Sequence, residues 1–66
     1  SHVRLIIYDI MGREVATIIN TEMNAGYQSI IWNTRNNYGR PVSAGIYFYH
    51  LQTNDFIKTK KMVLVK

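Results

Sequence analysis

The chain has no cysteine, one proline and only four carboxylates in 66 residues. Without thiols it has no disulfide and no thiolate metal site. Its two histidines, His2 and His50, are too few and too widely separated for a zinc signal. Charged residues reach 18% against 47% hydrophobic, which excludes a disordered tail. Long apolar runs are missing as well. Met62-Val63-Leu64-Val65 is as long as any, far short of the roughly 18–20 residues of a membrane-spanning helix. The opening residues do not show the cationic, apolar, small-residue pattern of a signal peptide. Ser1-His2 reads as a remnant of cloning, and the ordered pattern starts at Val3, giving a single domain over 3–66.

Catalytic patterns are equally scarce. Ser29 and Ser43 have no paired histidine and acid, and no G-x-S-x-G occurs. A chain this short buries only about 60% of its unfolded surface, and burial minus ordering entropy comes out near zero for such domains. There is little room for an enzyme pocket. The residues therefore predict a non-catalytic domain without cofactor that leans on a neighbour.

What is present is strand. Val3–Asp9, Glu14–Asn20, Tyr27–Asn33, Gly45–Thr53 and Phe56–Lys66 are rich in β-branched and aromatic residues. Turn signals separate them. Ile10-Met11-Gly12-Arg13 forms a tight hairpin in which Gly12 supplies φ > 0 and the Asp9 carboxylate accepts a turn amide. Asn24-Ala25-Gly26 precedes the third strand and Thr53-Asn54-Asp55 links the last two. No segment combines a 3.6-residue period with caps, so little or no helix is expected. The Thr34–Ala44 connection is too polar and broken for a helix or central strand, and suits a crossing between two sheets.

This pattern predicts an all-β, immunoglobulin-like antiparallel sandwich. Val3, Leu5 and Ile7 point inward. Ile30 shares a face with Trp32, and Tyr47 shares one with Tyr49 and Leu51. Trp32 anchors the core between sheets. Met62–Val65, apolar on both faces, is either buried between layers or awaits a partner. Five strands are fewer than the seven of an immunoglobulin-like sandwich, so one or two N-terminal strands are expected to be lacking. The open edge so created invites a dimer or strand swap.

Four segments carry a resemblance. They are Leu5-Ile6-Ile7-Tyr8-Asp9-Ile10-Met11-Gly12-Arg13-Glu14-Val15; Ala25-Gly26-Tyr27 leading to Ile31-Trp32-Asn33; Asn36 through Tyr49, with Pro41-Val42-Ser43-Ala44-Gly45-Ile46-Tyr47; and Thr59 through Lys66. In this order and spacing the chain resembles the C-terminal sorting domain (type A) of type IX secretion cargo, in the variant related to the immunoglobulin-like domain of flagellar hook-capping proteins. The resemblance spans Val3 to Lys66. Two features depart from it: Thr34 stands where the family often has glycine, and the family's Asn-Pro-rich first strand is missing.

The resemblance implies a non-catalytic address label. It implies a cargo domain preceding it in the same chain, export through the periplasm of a Gram-negative bacterium, and secretion or surface display. The implied partners are type IX translocon proteins of the outer membrane and a sortase-like peptidase, with no membrane insertion. The implied recognition residues are Asp9, Gly12, Gly45, Tyr47, Lys60, Lys61, Met62, Val63, Leu64, Val65 and Lys66. The last seven would dock by strand addition, and the Lys66 α-carboxylate would join the signal if it is the natural terminus.

Each motif also has an ordinary structural reading. Gly45 permits a bulge and Tyr47, Phe48 and Tyr49 fill the core. The 60–66 segment is a final strand with solvated lysines. Asn33, Asn36, Asn37 and Asp9 cap turns rather than bind calcium, because the loop itself offers no carboxylate. A nucleic-acid reading, with Tyr47, Phe48 and Tyr49 as a stacking platform beside Lys58 and Lys60, fails because successive strand residues face opposite sides; no nucleic-acid partner is expected. The alternative to sorting is a structural immunoglobulin-like spacer of an extracellular enzyme or adhesin.

Overall fold

The computed structural model describes residues 2–22, 32–55 and 57–66. Four strands form: β1 (His2–Asp9), β2 (Glu14–Glu22), β3 (Gly45–Gln52) and β4 (Ile57–Leu64). They build one antiparallel sheet in the order β2-β1-β3-β4. There is no helix among the described residues. The all-β antiparallel class is as the sequence predicts. Most of the expected third strand, Tyr27–Ile31, lies outside the described residues, as does Ile30 with its face assignment. Trp32 and Asn33 at its end are not in a strand. The second layer of a sandwich is thus not formed by the described residues.

Sequence order explains the topology. The Asp9–Arg13 turn makes β1 and β2 a hairpin, and the short link at Thr53–Asp55 does the same for β3 and β4. β1 then pairs with β3 from Arg4↔Gln52 to Asp9↔Tyr47. This seats β1, the most apolar run, in the interior of the sheet. β1 is accordingly buried on both faces. Ile7 is 3% exposed on one side, and Ile6 is 2% exposed on the other. Alternation alone placed Val3, Leu5 and Ile7 inward and left Ile6 outward; its position between β2 and β3 covers it instead.

The inner face gathers Ile7, Ala16 and Tyr47, with Val15, Ile18, Trp32, Tyr49, Met62 and Leu64 against them. Tyr47, Tyr49 and Leu51 share this face as expected, while Phe48 faces the other way with its cross-strand partner Lys61. Two register shifts in β2 let consecutive apolar residues serve one core. Ile18 is skipped between the Leu5↔Ile19 and Ile6↔Thr17 pairs, and Val15 between Ile7↔Ala16 and Tyr8↔Glu14. Such bulges turn two neighbouring side chains toward the same side. The bulge expected at Gly45 is not there, since the pairing of β3 is continuous with both neighbours.

Trp32 lies over this face. Its ring meets Tyr47 edge-on, with centroids 5.7 Å apart at 70°, and its indole N–H donates to the Arg35 carbonyl at 3.0 Å. Leu5, Ile7, Ile18, Trp32, Tyr49, Leu51 and Met62 line an open apolar trough of about 300 Å³.

The 34–44 connection folds back on β2 rather than running clear of it. Arg35 and Pro41 form an isolated bridge, and the Val42 amide donates to the Thr34 carbonyl at 3.0 Å. Thr34 holds φ +59°, a left-handed conformation that penalises a β-branched residue by roughly 1–2 kcal/mol. The chain keeps the backbone that glycine would adopt and carries Thr there. We expect Thr34→Asn, which tolerates this φ without glycine's entropy cost, to raise stability by about 0.5–1 kcal/mol. An unchanged or lowered urea midpoint would contradict that expectation.

Candidate functional site

Two turns at one end of the sheet share a single design. In Asp9-Ile10-Met11-Gly12-Arg13 the Asp9 amide donates to the Arg13 carbonyl and the Gly12 amide to the Asp9 carbonyl, both at 3.0 Å. The Asp9 Oδ1 accepts from the Met11 and Arg13 amides, each at 2.9 Å. In Asn36-Asn37-Tyr38-Gly39-Arg40 every one of these bonds recurs. The Asn36 amide donates to the Arg40 carbonyl and the Gly39 amide to the Asn36 carbonyl, both at 2.9 Å. The Asn36 Oδ1 accepts from Tyr38 at 2.9 Å and Arg40 at 3.0 Å. Gly12 and Gly39 carry matching φ of +82° and +80°.

The common pattern is an Asx acceptor, two free positions, glycine and arginine. The short polar side chain stands in for a backbone carbonyl and organises the amides two and four residues on. The repeat is legible in the sequence as Asp-x-x-Gly-Arg and Asn-x-x-Gly-Arg, and sequence reasoning read each half without joining them. Asn33 caps in the same way, accepting from the Arg35 amide at 3.2 Å. The turn-cap reading of these residues therefore stands.

The two turns differ in charge. Arg13 Nε donates to Asp9 Oδ2 at 3.0 Å, whereas Asn36 is neutral. The Asp9 carboxyl is held below its ordinary value chiefly by the Arg13 amide; desolvation opposes this, and the Arg13 charge, the guanidinium hydrogen bond and the Met11 amide add to the lowering. A depressed native pKa contributes stability above the unfolded-state value and loses it as pH falls through the native value. We therefore expect this hairpin to loosen only below the usual carboxylate range. The Met11 and Arg13 amide resonances should titrate there, and Asp9→Asn should abolish the titration while keeping the turn. A midpoint at or above the ordinary carboxylate value would overturn the assignment.

Exposed side chains crown both turns: Ile10 and Met11 on the first, Tyr38 on the second. Between them lies a cleft of about 360 Å³ lined by Asp9, Arg13, Glu14, Asn36, Tyr38 and Tyr47, among others. The Tyr47 hydroxyl donates to the Ser43 carbonyl at 2.7 Å, fixing the entry into β3.

The expected recognition residues fall into two groups. Asp9, Gly12, Gly45 and Tyr47 come together at this end: Asp9 pairs with Tyr47, and Gly45 pairs with Leu64. The tail joins them, because Lys66 Nζ donates to the Val42 carbonyl. Met62 and Leu64 tuck partly under the inner face, while Val63 and Val65 are exposed. Lys60 and Lys61 sit farther along β4, opposite Tyr49 and Phe48. The tail is thus neither sealed between layers nor wholly free, but alternates.

Asn37 is the residue that sequence reasoning undervalued. Its amide donates to the Val15 carbonyl at 3.1 Å and its Oδ1 accepts from the Thr17 amide at 2.9 Å. Its Nδ2 reaches Glu14 Oε2 at 3.3 Å, which also accepts from the Thr17 hydroxyl. One residue so satisfies two outward-facing backbone groups of β2, the Val15 carbonyl through its main-chain N–H and the Thr17 amide through its side chain. No local sequence signal marks this role, because the contact closes across about twenty residues.

The arrangement offers turns, exposed apolar tips, a basic strand and an alternating tail, which together suit recognition by another macromolecule. Compared with known proteins, residues 1–55 match the family model described as FlgD Ig-like domain. Searches of curated proteins and of solved structures gave no significant match.

Proposed function

The chain belongs to the FlgD Ig-like domain family, and we propose that this member is a non-catalytic sorting domain that directs its cargo across the outer membrane by type IX secretion. The observation that carries the reading is the convergence at one sheet end of segments distant in sequence. The Asp9–Arg13 turn, the Gly45–Tyr47 start of β3 and the tail from Leu64 to Lys66 are joined there by Asp9↔Tyr47, Gly45↔Leu64 and the Lys66–Val42 contact. These are three of the four segments in which the chain resembles type IX sorting domains. A folded label needs such a composite surface, since a translocon that selects folded cargo reads shape rather than a linear stretch.

In this role the domain folds in the periplasm after the cargo has crossed the inner membrane. It presents the paired turns and the tail to outer-membrane translocon proteins, and a sortase-like peptidase then separates it from the cargo. No step requires a reacting group from the domain itself.

A reporter tests the reading. A signal peptide and a fluorescent protein are fused ahead of the natural domain in a type IX-competent host, with a paired fusion lacking Lys61–Lys66. The expected result is surface or medium fluorescence for the intact fusion and periplasmic retention of the shortened one. Retention of both, with the domain folded, would defeat the sorting reading and leave the structural spacer of an extracellular protein as the better account. Equal export of both would keep sorting but remove the tail from the signal.

A further inference from the structure

The two long edges of the sheet are treated differently. At β2 the 35–41 loop lies along the edge, and Asn37 occupies the backbone groups of Val15 and Thr17. At β4 no described residue pairs with the outer side. Every second residue of β4 therefore turns its N–H and C=O away from β3, a ready template for another strand.

The charge on that edge is one-sided. β4 reads Ile57-Lys58-Thr59-Lys60-Lys61-Met62-Val63-Leu64, and neither β3 nor β4 contains a carboxylate. Lys58 and Lys60 lie on the inner face, opposite Leu51 and Tyr49, and Lys61 on the outer face, opposite Phe48. All three are exposed. The same strand exposes Ile57 and Val63, each at 62%. A second copy of the chain is a poor fit. Symmetric antiparallel pairing of two β4 strands brings Lys58, Lys60 and Lys61 within a residue or two of the same lysines, and like charges across a ladder are destabilising.

We infer that the outer edge of β4 accepts an extended acidic segment of a partner protein by strand addition. Glutamates or aspartates of the added strand meet Lys58 and Lys60 on one face and Lys61 on the other, while its apolar residues cover Ile57 and Val63. Backbone bonds supply affinity and the lysines supply selectivity. This names the partner chemistry for the tail and rests on the sorting reading for which protein bears that strand.

The test uses the purified chain and an acetylated, amidated peptide as long as β4, with glutamates set against Lys58 and Lys60 on one face and Lys61 on the other and valines elsewhere. Controls are the lysine–valine counterpart and the glutamate peptide N-methylated at two consecutive residues, which blocks both of its edges. Fluorescence anisotropy is read with tagged peptides. The acidic peptide should bind about ten-fold or more tighter than the basic one, equivalent to about 1.4 kcal/mol, and weaken with salt. The N-methylated peptide should lose binding. The K58E/K60E/K61E variant, altered only at exposed positions and checked by circular dichroism, should prefer the basic peptide.

Undiminished binding of the N-methylated peptide would overturn strand addition. So would binding confined to vesicles containing phosphatidylglycerol, or concentration-dependent dimerisation with no peptide binding. Absence of all binding would leave the lysines as guards against edge pairing and end the proposal. The two readings fail separately: peptide binding without export of the reporter defeats sorting alone, and export without peptide binding defeats the acidic-strand inference alone.

Discussion

Ile7→Ala should cost about 3 kcal/mol of stability, in the usual range for truncating a buried isoleucine. A domain of this size has roughly 3–10 kcal/mol in total, at about 0.05–0.15 kcal/mol per residue. The substitution therefore removes between a third and all of it. Ile7 is 3% exposed and sits at the centre of the inner cluster, between Ala16 on β2 and Tyr49 on β3. The cavity has little chance to collapse, because the walls are hydrogen-bonded strands on both sides. Val63→Ala, on the exposed face of β4, removes methyls already in water and should change stability by less than about 0.5 kcal/mol. Urea unfolding of the two variants makes the comparison. Equal midpoints would mean that the sheet is not organised around β1.

Gly45→Val should cost about 2 kcal/mol through the backbone alone. Gly45 opens β3 at φ +148°, a region that residues with a side chain occupy only at a cost of about 1–3 kcal/mol, and β-branching puts valine high in that range. Packing contributes nothing, since a Cβ at Gly45 would meet no atom within 4 Å. The strain has one exit, which is to bring φ negative. That movement swings the 42–44 segment away from the sheet and breaks the Tyr47 hydroxyl bond to Ser43 and the pairing of Gly45 with Leu64. Amide exchange at Ile46 and Leu64 should accelerate with the loss of stability. A Gly45→Val protein as stable as the parent would show that β3 can start with an ordinary extended φ. The same substitution should weaken any recognition that depends on the turn end, because it loosens the junction of turn, strand and tail.

These two expectations locate the sequence signal differently. Ile7 is legible as core from local alternation. Ile6 is not, because alternation assigns it to water and only the placement of β1 between two other strands covers it. Gly45 is legible as a special backbone position, but the glycine at the strand's entry points to a bulge that the pairing of β3 does not contain. The bulges occur instead in β2, where Val15-Ala16 and Ile18-Ile19 put apolar residues side by side in a strand that must keep one face on the core. The Asp9 turn was readable in full, because an Asx acceptor, glycine at φ > 0 and the flanking strands are all local. Its twin at Asn36 was readable residue by residue, yet its place beside the first turn came only from the fold.

The sequence by itself determined the all-β class, the four strands seen here to within a few residues, the capping roles of Asp9, Asn33 and Asn36, and the basic character of the last strand. Each of these follows from side-chain type, alternation and turn chemistry within about ten residues. The tertiary structure alone decided the strand order, the burial of Ile6, the covering of the β2 edge by Asn37, an outer edge of β4 that no described residue pairs, and the meeting of the Asp9 turn, the start of β3 and the tail. Those depend on which hairpin sits beside which, and pairing partners far apart in sequence leave no periodic mark on either segment.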